Sequence, residues 1–94
     1  MKILGFDWDE HNQPKVESHE LTPEDIEWLF EEGDPIFVAH PDPRRRTALG
    51  FVPDGTFVLV VFEYDKVSRW VRVITAYPPT HERWWRLYER HSGR

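Results

Sequence analysis

The residues best suited to chemistry are arginines and one strand-like segment. Arg44, Arg45 and Arg46 stand in a row, and Arg69, Arg72, Thr75 and Tyr77 fall within 69–77. A guanidinium stays charged and presents a planar fork of donors, which suits a phosphate or a carboxylate. Tyr77 and His19 could move a proton. Each also has an ordinary structural use. Arg44 to Arg46 could be a solvated loop, and Arg72 could pair with Glu63 or an acid from a helix. Tyr77 and His19 could be half-buried core residues. Strand alternation puts Arg69, Val71, Val73, Thr75 and Tyr77 on one face and Trp70, Arg72, Ile74 and Ala76 on the other. Arg72 and Thr75 then share a face only if a bulge intervenes.

Other clusters carry less. Asp7, Asp9 and His11 would line one side only of an extended chain. A helix there scatters them, and helix caps or solvated acids are the simpler use. His81-Glu82 opens like a zinc-protease helix, but Trp85 stands where the second His is required. There is no Gly-rich phosphate loop and no cysteine. No metal site and no cofactor are therefore expected.

These residues sit in 94 residues, enough for one domain, 1–94, with one modest core. Aromatic content of 15% lets that core be dense. No apolar run reaches membrane-span length and no signal-peptide core opens the chain, so a cytoplasmic protein with no membrane partner is expected. The net charge of -5 is uneven. Residues 1–43 carry 2 Lys/Arg and 12 Asp/Glu, whereas 44–94 carry 10 and 5. The second part could face a phosphate backbone while the first repels it.

Lys2 to Phe6 reads as a short strand. A first helix is expected over roughly 9–18, weakened at Pro14. A start near Asn12 or Gln13 would instead put Pro14 in the tolerated first turn. The second helix is clearer. Thr22 caps it, Pro23 is its first residue, Glu24 and Asp25 favour the dipole, and Ile26, Leu29 and Phe30 form its buried stripe. Gly33 and Pro35 stop it. Strands follow at Ile36–His40, Arg46–Val52, Thr56–Tyr64 and Arg69–Tyr77. Turns at Pro53-Asp54-Gly55 and 65–68 make them an antiparallel meander. Thr56–Tyr64 is apolar enough to be covered on both faces. A last helix opens at Pro79 or Thr80 and turns Trp84, Leu87 and Tyr88, or Trp85 and Tyr88, to the sheet. The order is β-α-α-β-β-β-β-α: a small α+β domain with an antiparallel sheet of four to five strands, two N-terminal helices and one C-terminal helix. The helices are expected to cover one face, in two layers.

The ordered set Trp8-Asp9, Asn12, His19, Thr22-Pro23-Glu24-Asp25, Arg46 to Gly50, Gly55, Phe57 to Phe62, Arg72-Val73-Ile74-Thr75-Ala76-Tyr77, Glu82-Arg83 and Tyr88 resembles the BrnT-like toxins. It spans about residues 6–90. The resemblance implies a RelE-like fold and the toxin role in a bacterial type II toxin–antitoxin system. Its activity would be that of a metal-independent ribonuclease. It implies attack by an RNA 2′-hydroxyl on the adjacent phosphate, with cations stabilising the crowded phosphorus. Arg46 and Arg72 would clamp phosphate, Thr75 would position, and Tyr77 or His19 would shuttle the proton. Arg44, Arg45, Arg69 and Arg83 would bind RNA around them. The implied partner is a co-encoded antitoxin of the ribbon-helix-helix type that binds DNA. Two positions depart from the pattern. Ser18-His19-Glu20 replaces Lys-His-Gly, and Tyr77 stands where Arg is usual. Each removes a cation, which motivates an alternative: a non-catalytic, toxin-like protein-binding module. A third reading is an interaction domain, or a homodimer, that uses exposed aromatics at Trp28, Trp84 or Trp85.

Overall fold

The computed structural model describes residues 1–92. Its order is β1 (Gly5–Asp7), α1 (Gln13–Glu17), α2 (Pro23–Glu31), β2 (Ile36–Ala39), β3 (Arg46–Phe51), β4 (Phe57–Asp65), β5 (Trp70–Tyr77) and α3 (Glu82–His91). The expected α+β class and element order are found. β2 to β5 form the meander, in sheet order β1-β5-β4-β3-β2. β1 joins the edge of β5 in parallel, so the five-stranded sheet is mixed rather than wholly antiparallel.

The first helix is shorter than the expected 9–18. Asp9 does not start it: its Oδ1 accepts from the backbone N–H groups of His11 and Asn12, which closes a separate turn. Only after that turn does α1 begin, with Pro14 in its first turn. α2 matches its sequence signals. Thr22 Oγ1 accepts from Asp25 N while Asp25 Oδ2 accepts from Thr22 N, a reciprocal capping box. In the β3–β4 turn Gly55 takes φ 91, a conformation open to glycine because it lacks a Cβ.

The helices divide between the faces of the sheet instead of gathering on one. Val58, Val60 and Phe62 of β4, with Val71, Val73 and Ala76 of β5, pack against Val16 of α1 and Ile26 and Leu29 of α2. Phe30 meets Phe62 edge-on with ring centroids 4.9 Å apart. On the other face Leu49, Leu59 and Val61 meet Tyr88, Trp84 and Leu87 of α3. The chain leaves β5 through Pro78-Pro79, and His81 caps α3 by accepting from Arg83 N, later than the Pro79 or Thr80 start. β4 is therefore covered on both sides, as its apolar run indicates.

β5 contains the irregularity that alternation alone could not locate. Val61 pairs with Thr75 and Phe62 with Val73, so Ile74 is an extra residue, a β-bulge. The helix-facing set becomes Val71, Val73 and Ala76, and Arg72, Thr75 and Tyr77 fall on the α3 face together. Beside the bulge lies the buried side chain of Asn12. Its Nδ2 donates to the carbonyls of Asp7 (2.7 Å) and Val73 (2.9 Å), and its Oδ1 accepts from Asp9 N (2.7 Å). One amide thus joins the end of β1 to β5.

Removing this amide leaves two carbonyls and a backbone donor without their partner, the Val73 carbonyl in a buried position. Asn12→Ala is predicted to destabilise the fold by about 3 kcal/mol, read as a lower urea midpoint. Asn12→Asp should do no better despite its matching shape, because a carboxylate cannot donate to carbonyls. An Asn12→Asp protein as stable as the parent would contradict this account.

Candidate functional site

The half of the α3-side face that α3 leaves open forms a groove of about 740 Å³ beside β1, β5 and β4. Asp7, Arg44, Glu63, Asp65, Trp70 and Arg72 are among its lining residues. The sheet register explains the gathering. Asp7 sits opposite Arg72, and Arg72 opposite Glu63, in directly paired positions. Directly opposed side chains on one sheet face lie within reach of each other. Trp70 packs over Gly5, whose missing side chain makes the room: a Cβ there would come within 2.6 Å of the indole.

The result is an alternating charge ladder. Arg72 Nη1 lies 3.2 Å from Asp7 Oδ2 and 3.0 Å from Asp9 Oδ2. Arg45 Nε lies 3.6 Å from Glu63 and 3.8 Å from Asp42. Arg44 donates through Nε and Nη2 to both oxygens of Asp42. Asp42 is also fixed by its own loop, with its N–H donated to His40 Nδ1 and its Oδ1 accepting from Arg44 N. The Arg44 side chain, then the Arg44 backbone N–H, hold the Asp42 carboxyl well below the usual range. Hydrogen bonding from Arg72, with help from the His11 and Asn12 N–H groups, lowers Asp9 from 3.8 to about 2. Arg72 is raised in turn, chiefly by its hydrogen bond with Asp9. Arg44, Arg45 and Arg72 of the basic second half are thus paired with Asp42, Asp7 and Asp9 of the first.

The expected catalytic residues separate into three places. Arg72 and Thr75 are same-face neighbours across the bulge, about 7 Å apart along the strand. Tyr77 lies about 13 Å from Arg72 by the same measure, packed toward α3. His19 joins Tyr77 there, with ring centroids 5.9 Å apart. Arg46 faces the other way. It pairs with helix-facing Phe62 and its guanidinium lies 5.6 Å over the Phe37 ring. Among the expected RNA-binding residues, Arg44 and Arg45 belong to the ladder. Arg69 sits in the β4–β5 turn with φ 63, and Arg83 lies over Trp84 on α3. A single phosphate cannot touch Arg46, Arg72 and Tyr77 together.

Asp7 and Asp9 read from the sequence as caps or solvated acids, and no local signal marks Trp70. Only the parallel β1–β5 register, which no local pattern encodes, puts these residues beside Arg72. From the sequence, Glu63 is one possible partner of Arg72. It does lie opposite Arg72, but its closer cation is Arg45. Among the described residues no three His, Asp or Glu side chains are placed to hold a metal ion, and no helix is long and apolar enough to cross a membrane. No family model and no curated protein matches the chain.

The Asp9–Arg72 contact makes stability depend on acid. Asp9 has its folded-state value below its unfolded value, so its contribution is full above about pH 4 and is lost as pH falls toward about 2. The stability gap between the parent and Asp9→Asn should therefore be present at neutral pH and shrink through that window in acid titrations followed by circular dichroism. A gap that stays constant from neutral pH to the acid end would exclude the ion pair as its source.

Proposed function

We propose that this chain is the toxin-like half of a bacterial toxin–antitoxin pair, that it resides in the cytoplasm, and that its main act is to bind a co-encoded antitoxin-like protein through the ladder groove rather than to cut RNA. The ordered resemblance to BrnT-like toxins supports the pairing. The observation that carries the binding mode is Arg72 held between Asp7 and Asp9. A phosphodiester reaching that guanidinium meets two carboxylates at contact distance, one of them ionised down to about pH 2. An arginine or lysine from a partner instead meets Asp7, Glu63 and Asp65 beside the face of Trp70, a setting for ion pairing and cation–π contact.

A second reading, a metal-independent ribonuclease, draws on the bulge, which sets Arg72 and Thr75 on one face. There Arg72 would stabilise the pentavalent phosphorus and Thr75 would orient the phosphate. Tyr77 and His19 would have to be brought closer to move the 2′-hydroxyl proton.

Coexpression with the product of the adjacent open reading frame separates the two. The binding reading expects that product, a ribbon-helix-helix-type DNA-binding protein, to copurify. Asp7→Lys with Glu63→Lys should weaken the complex about tenfold or more, and total RNA should stay intact with the free protein. RNA cleaved by the parent but not by Arg72→Ala would establish the second reading and remove the first.

A further inference from the structure

β2 forms one edge of the sheet, and strand alternation shows what its outer side presents. Val52 N donates to Thr56 O, so the main-chain groups of Val52, Gly50, Ala48 and Arg46 turn toward β4. Those of Leu49 and Thr47 then turn toward β2, where they meet Ile36 and Val38. The N–H and C=O groups of Phe37 and Ala39 are left pointing away from the sheet. Among the described residues no main-chain hydrogen bond from a loop, turn or cap reaches them. The strand has neither a charged residue nor a bulge, two of the usual guards of an open edge. Pro35 and Pro41 stand just outside it.

We propose that β2 pairs antiparallel with β2 of a second copy of this chain, joining the two sheets into one across a twofold axis at Val38. The prolines select this register. By alternation Pro35 and Pro41 also present their outer side, and neither has an N–H to give. Placing Phe37 opposite Phe37 leaves the Ala39 carbonyl facing Pro35. Placing Ala39 opposite Ala39 leaves the Phe37 carbonyl facing Pro41. With Phe37 opposite Ala39, each outward N–H meets a C=O and none is left over. Such self-complementarity is what a twofold interface requires, and an unrelated strand gains nothing from it. The side chains agree with the register. Phe37 and Ala39 lie on the face covered by α1 and α2, where the ring of one copy meets the small, exposed Ala39 of the other. Val38 meets its own counterpart on the opposite face, a close β-branched pair. Antiparallel pairing also sets the acidic entry to β2, with Glu31, Glu32 and Asp34, at the end where the second copy carries Arg46. Arg46 makes no ion pair among the described residues, and Asp42 at that end is already paired with Arg44. The proposal is independent of the ladder groove beside β1, β5 and β4 and of the partner proposed for it. It also needs none of Trp28, Trp84 and Trp85.

Sedimentation velocity of the full chain over a dilution series tests this, and a concentration-dependent dimer is expected. Ala39→Pro removes an outward donor without touching the ladder to β3. It should keep the circular dichroism of the parent and weaken association about tenfold or more. The chain has no cysteine, so Val38→Cys supplies a single thiol. In the proposed pair its counterpart lies about 4.5 Å away between Cα atoms, within disulfide reach. Mild oxidation should therefore give a covalent dimer from Val38→Cys and little from Ala39→Cys, whose two thiols fall on either side of the axis. A parent that stays monomeric throughout the series would overturn the proposal. So would a dimer that Ala39→Pro leaves intact, or equal crosslinking of Val38→Cys and Ala39→Cys.

Discussion

The Asp9–Asn12 turn is the constraint on which the rest of the molecule depends. Asp9 Oδ1 accepts from Asn12 N, and Asn12 Oδ1 accepts from Asp9 N. The pair closes the turn from both sides and leaves the Asn12 amide to bridge β1 and β5. β1 is three residues long and lies at the sheet edge. A strand that short has little ladder of its own, so a buried amide at its end contributes much of its attachment. The neighbouring Trp8 ties the same segment to α2, its Nε1 donating to Glu27 Oε2 at 2.9 Å. The turn also aims Asp9 Oδ2 at Arg72. One local motif therefore fixes a strand, a helix start and the charge state of the groove.

That groove is organised by pairing rather than by accumulation of charge. The chain separates its charges in sequence and then folds the two parts against each other. Asp7, Asp9 and Asp42 come from the acidic part, and Arg44, Arg45 and Arg72 from the basic part. The long-range field of either part is largely cancelled where they meet, and what remains is short-range pattern. Such a surface selects partners by matching alternating charges, which confers specificity more than raw attraction. Among the described residues, the arginines outside this pattern lie at the β4–β5 turn, on Phe37 and on α3, and so face different surroundings.

The bulge at Ile74 has two consequences that oppose each other functionally. It returns Arg72, Thr75 and Tyr77 to a common face, as a shared site requires. The same strand then carries Tyr77 toward α3, where it packs with the apolar cluster and His19, away from the open groove. Common facing is thus not common location. Strand rise, about 3.3 Å per residue, decides the matter.

Much of the fold was legible because its determinants are local. The capping box of α2, the Gly55 turn, the apolar run of β4 and the element order all follow from residues within a few positions of one another. The groove was less legible. Arg72 reads from the sequence as a cation that could join an ion pair, but its partners come from 63 and 65 positions away, through the parallel β1–β5 register. The position of the bulge and the division of helices between two faces likewise depend on long-range packing, whereas the late start of α1 is set locally by the turn that Asp9 closes. The sequence by itself determined which segments are strands and helices and which residues are charged, because propensity, capping and periodicity act over a few residues. The tertiary structure alone decided that Trp8–Asn12 is a structural clasp and that Arg72 is a neutralised cation. Those facts are set by register and burial between distant strands, which no local pattern specifies.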